Sequence, residues 1–319
     1  MPEHPTTGSP PEIAVVILNW NGAAETLACL RTLLPEAPDE LLVLDNGSED
    51  DSVARIRAEL PDVPLLENGA NLGFAEGVNR GIDATRAPWV LLLNNDTEVR
   101  PGCLEFLRAA VRDAPADVGM MQPLLLFHHE PERINSSGVV LEATGLAFDR
   151  HFRAPLADLV PTEPFAVTAG AGLYRRSMLE ALKLPTGYFD RTHFMYFEDV
   201  DLGWRARLGG WKAQLVAEAR VLHHFQGSSK RQVSHFVQRW CKLNRVRMLL
   251  KNASGPRVRD FFFGKRFTRE ARWLFKRDGL GGLWALLKAV VDGGRARRRV
   301  GRMAVLDRAE LEARWLDRT

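Results

Sequence analysis

Cysteine is scarce: three in 319 residues, at Cys29, Cys103 and Cys241, odd in number and never spaced as Cys-x-x-Cys. That argues against a disulfide framework or a thiolate zinc site and favours a reducing compartment. Also missing is any run of about 18 apolar residues, the length a bilayer-spanning helix needs. The opening dozen residues are proline-rich and carry neither the basic nor the apolar block of a secretory signal, so residues 1–11 are expected to form a flexible tail. What is present, 45% apolar and 26% charged residues, excludes a disordered or fibrous chain and suffices for one or two globular cores.

The net charge of +3 hides a division. Residues 230–319 hold 24 Lys/Arg against 8 Asp/Glu, whereas residues 1–229 hold 19 against 32. An acidic body accepts an anionic ligand only through a metal ion or local backbone dipoles, while a basic tail suits an anionic surface. The split suggests a body over residues 12–230 and an extension over 231–319.

Short apolar runs alternate with helix-period segments, the pattern of repeated βαβ units with buried parallel strands. Ile13–Leu18, Leu41–Leu44, Pro64–Leu66 and Trp89–Leu93 read as strands. Leu27, Leu30 and Leu34, then Val53, Ile56 and Leu60, then Phe74, Val78 and Ile82 recur at helical spacing between them. Residues 12–100 therefore read as a nucleotide-binding α/β half, with 101–230 as a second half. Ligands of such sheets collect beyond the carboxyl ends of the strands. There the chain places Asn19-Trp20-Asn21-Gly22, Asp45-Asn46-Gly47-Ser48, Asn68-Gly69 with Asn71-Leu72-Gly73-Phe74, and Asn94-Asn95-Asp96-Thr97. Turn chemistry also favours these residue types, but so many at one sheet edge point to a site.

Further along, Gly170-Ala171-Gly172 precedes Arg175-Arg176, and Phe197-Glu198-Asp199-Val200-Asp201-Leu202 opens a helix with Val200, Trp204 and Leu208 on its apolar face. These segments, with Val15–Asn21, Leu44–Ser48, Asn71–Ala75, Asn79-Arg80-Gly81 and Leu91–Thr97, resemble in order and spacing the family 2 glycosyltransferases, particularly their bacterial rhamnosyltransferase-like members. The resemblance covers residues 12–230. It implies an α/β GT-A nucleotide-diphospho-sugar transferase fold, a Rossmann-like mixed sheet flanked by helices, here with a basic α-helical C-terminal extension.

The same resemblance implies roles. Asp96 is the metal-binding carboxylate of a short acidic motif, here Asn94-Asn95-Asp96, with Asn94 reaching the donor's ribose or sugar. Breaking a bond from sugar C1 to a diphosphate builds negative charge that a divalent cation, Mn²⁺ or Mg²⁺, neutralises through oxygen ligands. His223 is a further ligand of that cation, or His224 if the register slips by one. Asp45 accepts from the nucleobase, with Asn19 and Asn71 lining the same pocket or serving only as turns, and Gly73 permits close backbone approach. Gly170, Ala171 and Gly172 form a floor beside the transferred sugar and acceptor, or simply pack tightly. Asp199 is the general base that takes the acceptor's proton, with Glu198 as the fallback and Asp201 as a cap or a partner of Arg205. An apolar approach, Phe194-Met195-Tyr196-Phe197, would raise a carboxyl's proton affinity toward that of a useful base. Phe127-His128-His129-Glu130 shows no repeated ligand spacing, and residues 120–160 are read as a variable acceptor-side insertion.

From Lys230 onward, arginines interleave with Trp240, Phe261–Phe263, Trp273, Trp284 and Leu287, apolar faces edged by cations. Such helices lie in an anionic membrane surface, or pack on the body or on a second copy in an oligomer. Nucleic-acid-reading motifs are not apparent, so nucleic acid is not expected as a partner. The expectation is an inverting glycosyltransferase at the cytoplasmic face of the membrane, peripherally attached. It would move rhamnose from dTDP-rhamnose, or a hexose from a UDP-sugar, to a hydroxyl of a cell-surface glycan or lipid-linked acceptor. The alternative is a non-catalytic nucleotide- or carbohydrate-binding relative of the fold, suggested by the thinned acidic motif.

Overall fold

Alternating apolar runs and one-faced helices at the start of the chain fold as their periodicity demands. The computed structural model describes residues 12–224 and 234–316, so the tail at 1–11 and the boundary placed at residue 230 lie outside the described residues. The first half reads β1 (Ile13–Asn19), α1 (Ala23–Leu33), β2 (Glu40–Asp45), α2 (Ser52–Glu59), β3 (Leu65–Glu67), α3 (Gly73–Ala84) and β4 (Trp89–Asn94). β1 lies parallel to both β2 and β4, and β3 adds parallel to β2. Buried on both faces, these strands are near-continuous Val, Ile and Leu.

The second half supplies β5 (Thr97–Val99), α4 (Cys103–Arg112), β6 (Val118–Phe127), β7 (Ile134–Ser136), β8 (Val139–Leu141), β9 (Ala147–Asp149), β10 (Ala171–Arg175), α5 (Arg176–Ala181), α6 (Glu198–Leu208) and β11 (Lys212–His223). The nine-stranded sheet runs β3-β2-β1-β4-β10-β6-β11-β5, with β7 paired to β6. It is mixed, because β10 is antiparallel to β4 and β6, and β5 is antiparallel to β11. One apolar layer packs under α1 and α4, and the other under α3, α5 and α6.

One local reading of the sequence is corrected here. Residues 120–127 belong to no insertion: they sit in β6, every residue of which is buried. The twelve-residue β11 carries an irregularity between Val216 and Arg220 that masks its alternation in the sequence.

The extension is helical: α7 (His235–Asn252), α8 (Gly255–Phe263), α9 (Lys265–Met303), bent at Gly279 where φ is 59°, and α10 (Arg308–Trp315). It shares a core with the body, in which Val200, Trp204 and Leu208 of α6 meet Leu243, Val246 and Leu249 of α7 and Leu274, Leu286 and Ala289 of α9. Many of its cations are spent internally. Lys251, fully buried, pairs with Asp190 and Asp201, and Asp201 also receives Arg205 at 3.0 Å and Asn252 at 2.9 Å. Burial opposes ionisation of both carboxyls, but Lys251 outweighs it, holding Asp190 well below and Asp201 below the ordinary carboxylate range.

Candidate active site

Strand ends at β1, β2 and β4 bring the polar turns to one edge, but most of their side chains hold one another. Asn19 is fully buried, donates to Asp45 Oδ1 at 2.9 Å and to Ser48 Oγ at 3.1 Å, and accepts from Thr26 at 2.8 Å. Asp45 is 2% exposed and also accepts from the Gly47 and Ser48 amides and the Ser48 hydroxyl. With its lone pairs so engaged, Asp45 braces the loop, where the sequence reading had it facing a base. Gly47 is required there: φ is +73°, and a Cβ would lie 2.4 Å from the Ala70 carbonyl carbon.

Asn71 opens α3, its side-chain oxygen accepting from the Gly73 amide at 2.9 Å and from Asn46 at 3.2 Å. Gly73 is a glycine because Phe194 occupies the space: a Cβ would meet its ring at 2.4 Å. The expected ligand approach at Gly73 is thus a contact within the protein. Ala171 and Gly172 are likewise buried in β10, facing Leu93 and Leu92 of β4, so tight packing accounts for both. Of that segment only Gly170 reaches the rim, where its carbonyl accepts from the Asn94 amide at 2.9 Å.

Beyond β4 the groups open. Asn94 is partly exposed, and its side chain makes no hydrogen bond among the described residues. Asp96 Oδ1 lies 3.3 Å from His223 Nε2, the two side chains 33% and 14% exposed. His223 is held by its other nitrogen, 2.9 Å from Asn135 Oδ1, which aims Nε2 toward Asp96. Burial disfavours the Asp96 carboxylate, but the hydrogen bond and charge of His223 outweigh it and hold its pKa below the usual value. One carboxylate oxygen and one imidazole nitrogen at this separation, both reachable from solvent, fit two adjacent ligands of a divalent cation at about 2.0–2.2 Å. His224 turns the other way, its Nε2 2.6 Å from Glu98 Oε1. Of the two, His223 is the one paired with Asp96.

Asp199 stands at the start of α6 and lines a cavity of about 400 Å³ with Thr168, Tyr196, Phe148, Phe152 and Asp149. Its Oδ2 accepts from the Ala169 amide at 3.1 Å and its Oδ1 from the Val200 amide at 2.8 Å. Burial raises its pKa, these two amides lower it, and the charge of Asp149 raises it again, leaving the carboxyl above the ordinary aspartate value. Glu198 behaves differently. It is 6% exposed, its Oε2 is buried without a partner, and burial with the charge of Asp199 drives its pKa well above normal. Glu198 is absent from the residues that line the cavity, so the geometry favours Asp199 over the fallback.

Two pieces of the site were not found in the sequence. Asp149, on β9, is raised by burial and lowered by Ser136 and by the charge of His223. It therefore stands electrostatically between Asp199 and His223, while Ala169, which donates to Asp199, is followed by Gly170, whose carbonyl accepts from Asn94 at the start of the Asp96 turn. Nothing in the residue type or spacing at 149 signals this.

The second piece is Asn244 of α7. Phe194, Tyr196 and Phe197 all adopt left-handed backbone, at φ 62°, 67° and 68°. The Asn244 side-chain nitrogen reaches the carbonyls of His193, Met195 and Tyr196 at 2.8, 2.9 and 2.8 Å, pinning the strained turn that feeds Asp199.

The Glycosyl transferase family 2 model matches residues 14–183. An N-acetylglucosaminyl-diphospho-decaprenol L-rhamnosyltransferase of Mycobacterium tuberculosis is 31% identical over 236 residues, covering 65% of this chain and 73% of that protein. The putative glycosyltransferase EpsH of Bacillus subtilis is 24% identical over 73% of this chain and 64% of its own. Among solved structures, GalNAc-T7 with UDP, GalNAc and Mn²⁺ aligns with a TM-score of 0.61 at 16% identity, over 82% of this chain. This chain spans 51% of that one. Mannosyltransferase PcManGT from Pyrobaculum calidifontis in complex with GDP-Man and Mn²⁺ aligns with a TM-score of 0.51 at 16% identity, over 96% of this chain and 79% of its own.

Proposed function

The chain belongs to glycosyl transferase family 2 and is a glycosyltransferase of GT-A fold; from that premise we propose that it is an inverting rhamnosyltransferase acting on a lipid-linked sugar. The observation that supports this reading is a run of neighbours: Asp199 accepts from the Ala169 amide and feels the charge of Asp149, Asp149 feels the charge of His223, and the residue after Ala169, Gly170, accepts from the amide of Asn94, two residues before Asp96. Asp199 takes the proton of the acceptor hydroxyl as its oxygen bonds to C1, while the bond from C1 to the diphosphate oxygen breaks on the opposite face and its electron pair leaves with the diphosphate. One displacement inverts the anomeric centre. The raised pKa of Asp199 suits a base that must accept this proton.

Asp96 and His223 would hold a divalent cation, which when bound offsets charge on the departing diphosphate. Asn94, with its side chain uncommitted, faces the donor's hydroxyls. Phe148, Phe152 and Tyr196 offer ring faces to the apolar side of a sugar or the first isoprene of a carrier. The 31%-identical relative, named for rhamnosyl transfer to N-acetylglucosaminyl-diphospho-decaprenol, supports the choice of sugar and carrier.

A seat on the membrane follows from α9. Leu280, Trp284, Leu287 and Val291 form one exposed stripe, Leu280 77% and Trp284 70% exposed, edged by Lys276, Arg277, Lys288 and Arg295. No described helix is long and apolar enough to cross a bilayer. The apolar stripe with its cationic rim is the ground for proposing that this face lies along an anionic surface.

The test is nucleoside-diphosphate release by the full chain with dTDP-rhamnose or UDP-sugars, Mn²⁺ or Mg²⁺, and a prenyl-diphosphate-linked N-acetylglucosamine. Transfer with inverted stereochemistry from dTDP-rhamnose, abolished by chelation and by Asp96→Ala, is the expected result. Turnover that ignores both chelation and Asp96→Ala overturns the metal assignment, and preference for a UDP-hexose overturns the sugar.

A further inference from the structure

On the other side of β11, three imidazoles meet that the sequence keeps nearly a hundred residues apart. β6 and β11 are parallel with Phe127 opposite His223, so the next pair, His128 and His224, emerges on the face opposite the Asp96–His223 couple. Glu98 of β5 is registered with Leu222, two residues before His224, and shares that face. The potential ligand atoms of His128, His129 and His224 all lie within 4.8 Å of one another. Glu98 Oε1 is 2.6 Å from His224 Nε2 and 3.4 Å from His128 Nε2. The rings of His128 and His224 stack at 3.7 Å between centroids. Three imidazoles beside one carboxylate make a donor set suited to a borderline cation.

We propose that His128, His129, His224 and Glu98 form a second divalent-metal site, distinct from the donor site and selective for a borderline cation, Zn²⁺ first and Co²⁺ or Ni²⁺ by analogy of ligands. Three nitrogens and one oxygen match the tetrahedral preference of Zn²⁺, whereas the hard ions Mg²⁺ and Mn²⁺ prefer oxygen ligands. Zn–N bonds of about 2.0–2.1 Å place tetrahedral ligands about 3.3 Å apart, so the imidazole nitrogens close by up to about 1.5 Å while Glu98 and His224, 2.6 Å apart, open slightly, with His128 turning about its ring bond and exposed His129 swinging in. The ion would tie together the ends of β5, β6 and β11. Those ends also frame the donor site: the His128 amide donates to the His223 carbonyl at 3.0 Å, and the His224 amide to the Asp96 carbonyl at 2.9 Å. The site needs no assumption about the sugar transferred.

The experiment uses the full chain, free of any affinity tag and stripped by chelator, titrated calorimetrically with Zn²⁺ in excess Mg²⁺, with Co²⁺ absorption reporting coordination geometry. One equivalent of Zn²⁺ should bind, raise the thermal midpoint and give a tetrahedral Co²⁺ spectrum. His129→Ala, at an exposed position that folding does not need, should weaken Zn²⁺ about tenfold or more, and His128→Ala with His129→Ala should abolish it. Asp96→Asn should leave the equivalent in place. The proposal is overturned if the wild type binds Zn²⁺ no better than His129→Ala, or if the equivalent vanishes in Asp96→Asn, which would put the ion at the donor site.

Discussion

Replacing Asn244 by alanine removes a side chain that lies outside the cavity wall, yet it should disable turnover. Its oxygen accepts from Arg247 at 2.7 Å, and its nitrogen carries two N–H groups for three carbonyls, so two full hydrogen bonds to the turn are lost. At about 1–1.5 kcal/mol each the direct loss is about 2–3 kcal/mol. The turn it holds stores left-handed backbone at Phe194, Tyr196 and Phe197, and each such residue costs about 1–2 kcal/mol. The strain released on relaxation is therefore as large as the restraint removed, and the turn shifts. Phe197 is the N-cap of α6, so Asp199 moves with it. A displacement of about 1 Å in a reacting group costs about 10²-fold in rate. Steady-state kinetics should show kcat down by about that factor with the donor KM little changed, because Asp96 and His223 rest on other strands. Asn244→Asp, similar in volume but without donors, should be no better. A fall in thermal midpoint with kcat within threefold of wild type would show that Asp199 does not depend on this turn.

Asp199→Asn should cost about 10²–10⁴-fold in kcat while donor binding survives, and it should remove the acid limb of the rate profile. Because the Asp199 pKa lies above the usual value of about 3.9, wild-type kcat should rise with pH through a midpoint above that value. Glu198→Gln should retain turnover. Since the folded-state pKa of Glu198 is raised, its contribution to stability is full below about pH 4.3 and lost as pH rises, so the glutamine variant should gain in thermal midpoint over wild type from pH 5 to 8. Lys251→Met strands Asp190 and Asp201 with fewer cations and should cost about 3–5 kcal/mol, lowering the thermal midpoint by about 10 °C. The depressed carboxyls contribute fully above about pH 3.9 and lose that contribution as pH falls through their folded values, so the deficit should shrink in acid.

Periodicity made the first half of the fold legible because β1, β2 and β4 are buried on both faces and α1 and α3 on one, so each element announces itself locally. Asp96, Asp199 and His223 were candidates through a resemblance in ordered motifs, and the structure sets Asp96 beside His223. Asn19, Asp45 and Gly73 show the limit of that reading: residue type and position were as expected, but their bonds go to neighbouring loops, which depends on how strand ends meet. The His128–His224 pairing and the reach of Asn244 depend on contacts 48 to 96 residues apart in the chain, to which no local spacing corresponds. The charge count of the extension misled in one respect, since Arg239, Lys242, Arg245 and Arg247 are consumed by Asp278, Glu270 and Asp292 of α9 and leave fewer cations free than the composition suggests.

The helix α7, though it follows the last sheet strand, is in effect the back wall of the catalytic turn. Its neighbours α8 to α10 are attached partly through it and partly to the body, where the Val305 and Leu306 amides donate to the Leu208 carbonyl and Arg207 lies over the Trp315 ring. Chimeras that graft another relative's tail at the end of β11 would sever Asn244, Lys251 and Asn252 from the carbonyls and carboxylates they serve, and would yield inert hybrids. A seam at Ser254, between α7 and α8, keeps that wall with the body, and the exchanged helices must then restore Glu312, which accepts from Ser254, and the contacts to Arg207 and Leu208.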